Sequence, residues 1–557
     1  ISQNEQDGID ITGSSNIIAG NTITTNTKNG IDLFGCNLNL IGTNGNGIAD
    51  AAEGNLISGN LDYGIYIYQA NEITIAGNRI GTDATGTTKQ TNFDGGIYLW
   101  DGYANLIGTD GAGSGASAEG NLISGNTNFG IQLYQADGNS IAGNKIGSDV
   151  TGTSAIANYD GIQVRESYYN TIGTNGDGVG DTIERNTISG NTAIGIEVYG
   201  AGATDNIIAG NVVGLDASGS VALPNGEHGL MLANSANLNR VGTDGNGMSD
   251  EAERNIISGN TLCGIYIDGN QNRVAGNTIG LNLNGNAAIA NHTYGICLYD
   301  AVANTIGSNG DGSGDSWEGN VISGNMNGGI VLGITADASV ANGFYGNWIG
   351  TSASGVATLG NIGPGITLQN VEDNRIGYNT ANMGNVIVYN QGAGILFTSL
   401  TNMTGNQFVG NSMYENQFGI DLGGDGVTYN DVSDGDPGPN GLLNFPVLQG
   451  AESTGDSISI AVAYNSAPNK NYVLDFYWSG TCHSSGHGEG EVYLGWDNVT
   501  TDGSGAALKQ VGLAVVNIQP GYITATAMDS DGSTSEFSAC IPVEEATFMI
   551  RLPLIMR

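Results

Sequence analysis

The sequence predicts an all-β chain whose larger part is a parallel β-helix. Three observations lead there. A Gly-apolar-x-apolar strand returns fourteen times, from GIDI at Gly8 through GIYI at Gly64, GIQL at Gly130 and GIEV at Gly195 to GIDL at Gly419, mostly at intervals of 31 to 36 residues. Between these glycine strands lie two further short strands of alternating polarity, such as Ile73-Thr74-Ile75-Ala76 and Arg79-Ile80-Gly81. No stretch keeps a helical period, and 93 of the 557 residues are glycine, far above the usual share. Three short strands per repeat describe one coil, so residues 1–425 should form about 14 coils stacked at the strand spacing of roughly 4.8 Å.

Within a coil, Ile65 and Ile67 should fill the lumen, while Tyr66 and Tyr68, with Tyr98, Trp100, Tyr134, Tyr199, Tyr266 and Tyr299, should point outward. Such a row would suit a glycan or protein partner, or could be ladder packing alone. The [SA]-G-N turns at Asn60, Asn78, Asn126, Asn144, Asn191, Asn211, Asn260, Asn277 and Asn325 should stack from coil to coil, since asparagine tolerates αL geometry and its amide can bond along a ladder. Two loop types alternate, G-[TS]-D-x-[TS]-G (at Gly81 and Gly147) and an acidic loop, so the true repeat is a pair of coils.

The acidic loops carry the candidate metal ligands: Asn44, Asn46, Asp50 and Glu53; Asn175, Asp177, Asp181 and Glu184; Asp244, Asn246, Asp250 and Glu253; Asn309, Asp311, Asp315 and Glu318. Their spacing follows the latter part of a calcium loop, with oxygen ligands early, glycine at the sharp turn and a closing acid. The first position of such a loop is missing, so calcium is expected only with help from a backbone carbonyl or a neighbouring loop. The alternative is a set of Asx turns with the glutamate held by backbone amides. Asp431, Asp434 and Asp436, and Asp529 with Asp531, are weaker candidates.

The formal charge of −40 excludes nucleic acid as a partner, because that needs a basic surface, and disfavours anionic membranes. No run is long and apolar enough to span a bilayer. The chain opens inside a coil at Ile1-Ser2-Gln3-Asn4 without methionine, which suggests a removed leader or further repeats upstream, and placement outside the cell or on its surface. Cys482 and Cys540 are the candidate disulfide. Cys36, Cys263 and Cys297 read as small strand residues.

Over residues 1 to about 425 the repeats quoted above resemble the right-handed parallel β-helix repeat proteins that bacteria secrete. The resemblance implies the fold and its handedness but no particular activity. An acidic, turn-rich linker follows at 426–441. Residues 442–544, through Asn444-Phe445-Pro446-Val447-Leu448 and the stretch from Ala525 to Ser538, resemble the immunoglobulin-like β-sandwich that follows such repeats in bacterial surface proteins. The apolar tail 545–557 resembles the Leu-Pro-Leu endings of some Chloroflexi-type exported proteins. It reads as a strand on its own sandwich, as a donor strand or as a sorting signal.

Functionally, the sequence shows no clear cluster of Asp with Arg at one coil, and its regular repeats leave no privileged cleft. A non-enzymatic chain is therefore expected. An open first coil at Ile1 and an apolar tail bearing Phe548, Ile550, Leu552, Leu554 and Ile555 suggest head-to-tail self-assembly into an extracellular filament, sheath or surface layer. A monomeric adhesin or glycan-binding rod on the bacterial cell surface is the alternative, and a polysaccharide lyase or hydrolase the third reading.

Overall fold

A computed structural model describes residues 1–333, 339–352, 354–399, 401–515 and 518–545. The protein is a right-handed parallel β-helix followed by a separate C-terminal sheet region. The glycine strands stack in parallel into one sheet of fourteen strands, and the second and third strands of the coils form two parallel sheets of thirteen. By contacts the chain divides into two compact units. One is Ile1–Gln369 with Tyr389–Gly392; the other is Asn370–Val388 with the chain from Ala393 onward.

In the first unit the register is uniform. Ile65, Ile97, Ile131, Ile162 and Ile196 pair in sequence from coil to coil, and each is fully buried in the lumen. Burying one such side chain is worth about 1.5–3 kcal/mol, so the stacked column is the main source of order. The strand opens on glycine for a steric reason. A Cβ on Gly64 would lie 2.7 Å from the carbonyl oxygen of Gly96 and 2.9 Å from the side-chain amide of Asn92.

Buried asparagines run along the coils as three ladders rather than one. Asn126 illustrates the unit of construction: its Nδ2 donates to Asn158 Oδ1 at 3.0 Å, and its Oδ1 accepts from Asn92 Nδ2 at 3.0 Å. Asn60, Asn126, Asn191, Asn260 and Asn325 belong to this ladder. Asn78, Asn144, Asn211 and Asn277 belong to a second, and Asn105, Asn139, Asn170 and Asn206 to a third. The left-handed backbone falls on the preceding glycines, φ 73° at Gly59 and 70° at Gly77, not on the asparagines. Asparagine is chosen for its paired donor and acceptor, which satisfy buried backbone groups between coils.

Asn370 onward, the second unit contains the last coils and the C-terminal sheet. Ile395–Thr398 pairs with Ile420–Leu422, and this last coil is covered by the domain that follows it. Glu489 accepts from Asn416 N at 3.1 Å and from its Nδ2 at 2.7 Å. Glu536 accepts from Leu422 N at 2.7 Å and Thr428 N at 2.8 Å. Asn440 Oδ1 receives Asn406 N at 3.2 Å, and the Phe537 ring lies over Gly419. Backbone N–H groups of Asn406, Asn416, Leu422 and Thr428 at this end are therefore bonded.

Among the described residues the domain has seven strands. Val447–Ser453, Ser457–Asn465 and Ala506–Ala514 form one layer, and Asn471–Ser479, Val492–Thr500 and Tyr522–Met528 the other. Ile541–Glu545 pairs with both, in parallel to Val447–Ser453 and antiparallel to Tyr522–Met528. Between the layers pack Leu448, Ile460, Val462, Tyr472, Leu474, Phe476, Val511 and Ile523. Cys482 and Cys540 are disulfide-bonded.

Candidate functional site on the outer face of the glycine sheet

The outer face of the glycine sheet in the first unit differs from coil to coil, unlike the lumen. Alternation places one residue between the two buried apolar positions on the outside. Read across coils, that column runs Asp10, Asp32, Tyr66, Tyr98, Gln132, Gln163, Glu197, Met231, Tyr266 and Cys297. The column beside it runs Phe34, Tyr68, Trp100, Tyr134, Arg165 and Tyr199.

Aromatic rings make up the first part of this face. Centroids lie 5.5 Å apart for Phe34 and Tyr68, 4.5 Å for Tyr68 and Trp100, and 6.3 Å for Trp100 and Tyr134. Tyr63, Tyr66, Tyr98 and Phe129 form a second group at 5.0 to 6.1 Å. The rings pack on one another; Phe34 is exposed, Phe129 is buried and the others are half-buried. Burial pushes the phenols of Tyr63 and Tyr98 up to about 12, so they stay neutral donors.

Beyond the rings the face becomes ionisable. Arg165 Nη2 bonds Glu197 Oε2 at 2.8 Å, and the guanidinium lies 5.2 Å from the Tyr199 ring centroid. Gln132 Nε2 donates to Gln163 Oε1 at 2.5 Å, and Gln163 Nε2 donates to Asp160 Oδ2 at 2.7 Å. Asp160 Oδ1 accepts from Ile194 N at 2.9 Å. Asp160 and Glu197 are 5 % and 7 % exposed. Burial holds the Asp160 carboxyl above its ordinary range, against the hydrogen bonds from Ile194 and Gln163 and the charge of Arg165. Burial also raises Glu197, with Asp160 and Glu227 adding to it and Arg165 opposing. Further along stands His228, its ring 4.9 Å from that of Tyr266 and its buried Nδ1 without a partner. Burial lowers it to about 4, so this imidazole is neutral. Two carboxyls of raised pKa beside one guanidinium can supply a proton donor and an acceptor to the same substrate.

These residues escaped the sequence reading because Glu197 stands in GIEV and Arg165 in GIQVRE, two of fourteen similar strands. The outward column, followed from Tyr98 through Gln132 and Gln163, would have led to them. Cys263 and Cys297 form a disulfide across adjacent coils at the far end of this face, where small strand residues were expected. Their separation of 34 residues, one coil, was the available sign.

The acidic loops stack on one another elsewhere and do not converge. A Cβ on Gly45 would meet Glu119, one on Gly176 Glu253, and one on Gly245 Glu318. Their acids close their own turns. Glu53 Oε2 accepts from Thr43 Oγ1 and Asn44 N, both at 3.0 Å. Glu184 accepts from Asn175 N at 3.2 Å, Glu253 from Asp244 N at 3.0 Å and Glu318 from Asn309 N at 2.9 Å. Asp50, Asp181, Asp250 and Asp315 each accept from the glycine N–H three residues earlier. Asn46, Asp177, Asn246 and Asp311 take part in the Asx turns begun by Asn44, Asn175, Asp244 and Asn309. Asp244, Asp250 and Glu253 bring ligand oxygens within 4.8 Å of one another, as do Asp431, Asp434 and Asp436. Arg240 Nη1 already lies 3.0 Å from Glu253, and Arg273 pairs with Glu318, so these two loops carry their own cation.

Of the residues expected to drive assembly, Ile1 donates its ammonium to Thr22 O at 2.8 Å. Phe548, Ile550, Leu552, Leu554 and Ile555 lie outside the described residues.

The family model for the right-handed β-helix region matches residues 49–223. No curated protein matches the chain. Among solved structures, a periplasmic alginate epimerase, AlgG, matches at 11% identity over 72% of this chain and 75% of its own, with a TM-score of 0.26. A mannuronan C-5 epimerase A-module of Azotobacter vinelandii matches at 12% identity over 72% and 91%, with a TM-score of 0.26. The enzymatically active domain of tailspike protein 2 from bacteriophage CBA120 matches at 10% identity over 88% and 72%, with a TM-score of 0.25. At these values the likeness is one of fold alone.

The expectation of a non-enzymatic filament is corrected by the side chains of the chain itself. Two observations within the chain accompany the correction. At the last coil, backbone groups of Asn416 and Leu422 are bonded by Glu489 and Glu536 of the domain that follows. The cluster of acid with arginine, whose apparent absence argued against an enzyme, is present at Asp160, Arg165 and Glu197. Among the described residues no helix is long and apolar enough to cross a membrane.

Proposed function

We propose that the outer face of the glycine sheet binds a polysaccharide laid along the coils and that Asp160, Arg165 and Glu197 cleave it by acid–base chemistry. The observation that carries this reading is the pairing of the partly exposed Arg165 with the buried Glu197, with Asp160 beside it, in register with the aromatic rows. Tyr68, Trp100 and Tyr134 stand in three successive coils, at the strand spacing of roughly 4.8 Å, and offer hydrogen bonds to sugar hydroxyls. The charge of Arg165 opposes the burial that raises Glu197 and so favours its ionised form, the form that takes a proton or activates water. Asp160, equally buried and raised by that burial, is the group assigned to give a proton to the departing sugar oxygen. Work outside the cytoplasm fits the two disulfides.

The test is incubation of the purified chain with a panel of neutral and acidic polysaccharides, reading new reducing ends and unsaturated products. Release of oligosaccharides from at least one polymer that Glu197→Gln leaves intact is the expected result. Binding of polymers without any product from the wild-type chain would overturn the cleavage assignment.

A further inference from the structure

Charge is spread unevenly over the outer face of the glycine sheet. In the first unit the described strands of that sheet carry the acids Asp10, Asp32, Asp160 and Glu197 and a single base, Arg165. Arg165 is already paired with Glu197. Bases of neighbouring strands lie on other sides of the coil, Arg79 and Lys145 in the sheet of third strands, Arg240 and Arg273 in that of second strands. On the turns leading into the glycine strands, Lys28 stands among Asp7, Asp62 and Asp94. Burial, with the charges of Asp7 and Asp10, holds the Asp32 carboxyl up at about 6. Between Asp32 and the Arg165–Glu197 pair, three successive coils carry no charge in either outward column. They present Tyr66 and Tyr68, Tyr98 and Trp100, and Gln132 and Tyr134.

We propose, resting on the polysaccharide reading above, that this face selects an uncharged polysaccharide whose hydroxyl-bearing sugars lie over these three coils. Phenol and amide groups each donate and accept hydrogen bonds, as a sugar hydroxyl does. A sugar charged at every residue would instead lose hydration over these coils with no counter-charge to replace it. A polyanion is also repelled by Asp32, Asp62 and Asp94, an effect that salt screens. A polycation is drawn to the same acids, yet finds no partner over the neutral coils and meets the guanidinium of Arg165 at the reacting end.

The experiment offers the full chain a panel of neutral polymers (glucans, xylan, mannan and galactan), each beside its own carboxymethylated and its own aminated derivative. Binding and cleavage are read for wild type and Glu197→Gln. The neutral member of at least one series should bind about tenfold or more tightly than either charged derivative. Its Kd should stay within about twofold as salt rises from about 0.05 to about 0.5 M, while binding of the carboxymethylated polymer strengthens as repulsion is screened. That recovery separates charge from the bulk of the added groups. Gln132→Arg should narrow the preference against the carboxymethylated polymer several-fold. Tighter binding of a charged derivative than of its parent would overturn the proposal, even where Glu197→Gln abolishes cleavage and the cleavage reading stands. Neutral selectivity without any product from wild type would uphold the proposal and overturn the cleavage reading. Binding of none of the polymers would overturn both.

Discussion

The two faces of the glycine sheet obey different rules. Inward, Ile97, Ile131 and Ile162 repeat with no exposure, because every coil must present the same shape to the next. Outward, the aligned Tyr98, Gln132 and Gln163 change character within three coils. Stacking does not require that change, and it ends at the ion pair of Arg165 with Glu197. Uniformity marks the scaffold; departure from it marks the site.

The largest expected effect concerns turnover. Glu197→Gln keeps the size of the side chain and should lower polysaccharide cleavage by about 10²–10⁴-fold, as loss of an acid–base group does, while thermal melting stays within a few degrees of wild type. Next come the neighbours Ile97 and Tyr98, one on each face. Ile97→Ala should cost about 2–5 kcal/mol of stability by leaving a cavity in the lumen. Tyr98→Ala should cost less than half as much in chemical denaturation and should weaken glycan affinity instead. Equal stability losses would break the distinction between the faces.

A smaller effect follows from the capped coil end. Burial raises Glu489 and Glu536 from 4.5 to about 7 and about 8, against hydrogen bonds from Asn416 and from Leu422. Both folded values lie above the unfolded one, so the folded chain holds more protons between these limits. Stability from these groups is full below the unfolded pKa and is lost as pH rises through the folded values. Calorimetry from about pH 5 to about pH 9 should show the C-terminal unit melting lower as pH rises, with a flatter profile in the Glu489→Gln, Glu536→Gln double variant.

The smallest effect concerns calcium. Carboxylates that already close their own loops leave little for an ion to gain, least of all where Arg240 and Arg273 sit. Melting in calcium and in chelator should therefore coincide; a rise of several degrees in calcium that Asp181→Asn abolishes would assign the acidic loops to the ion.

Much of the fold could be read from the chain because glycine, apolar alternation and asparagine each answer to a local steric or hydrogen-bonding need. The site could not be read that way. Asp160 and Arg165 stand at the two ends of one strand, but Glu197 lies a coil further on, and only the stacking register brings it beside them. The acidic loops are ambiguous in sequence for a related reason. The oxygens of Asn44, Asp50 and Glu53 that would bind calcium are the same ones that accept their own loop's N–H groups, and spacing does not separate the two uses. The cap was missed because Glu489 and Glu536 lie more than 70 residues from Asn416 and more than 100 from Leu422, their partners.

The most direct test of the central claim measures affinity and turnover together on one polysaccharide, for wild type, Tyr98→Ala and Glu197→Gln. The account predicts that Tyr98→Ala binds more weakly yet still cleaves at saturation, and that Glu197→Gln binds as wild type and does not cleave. Wild-type affinity and turnover in both variants would place the function away from the outer face of the glycine sheet.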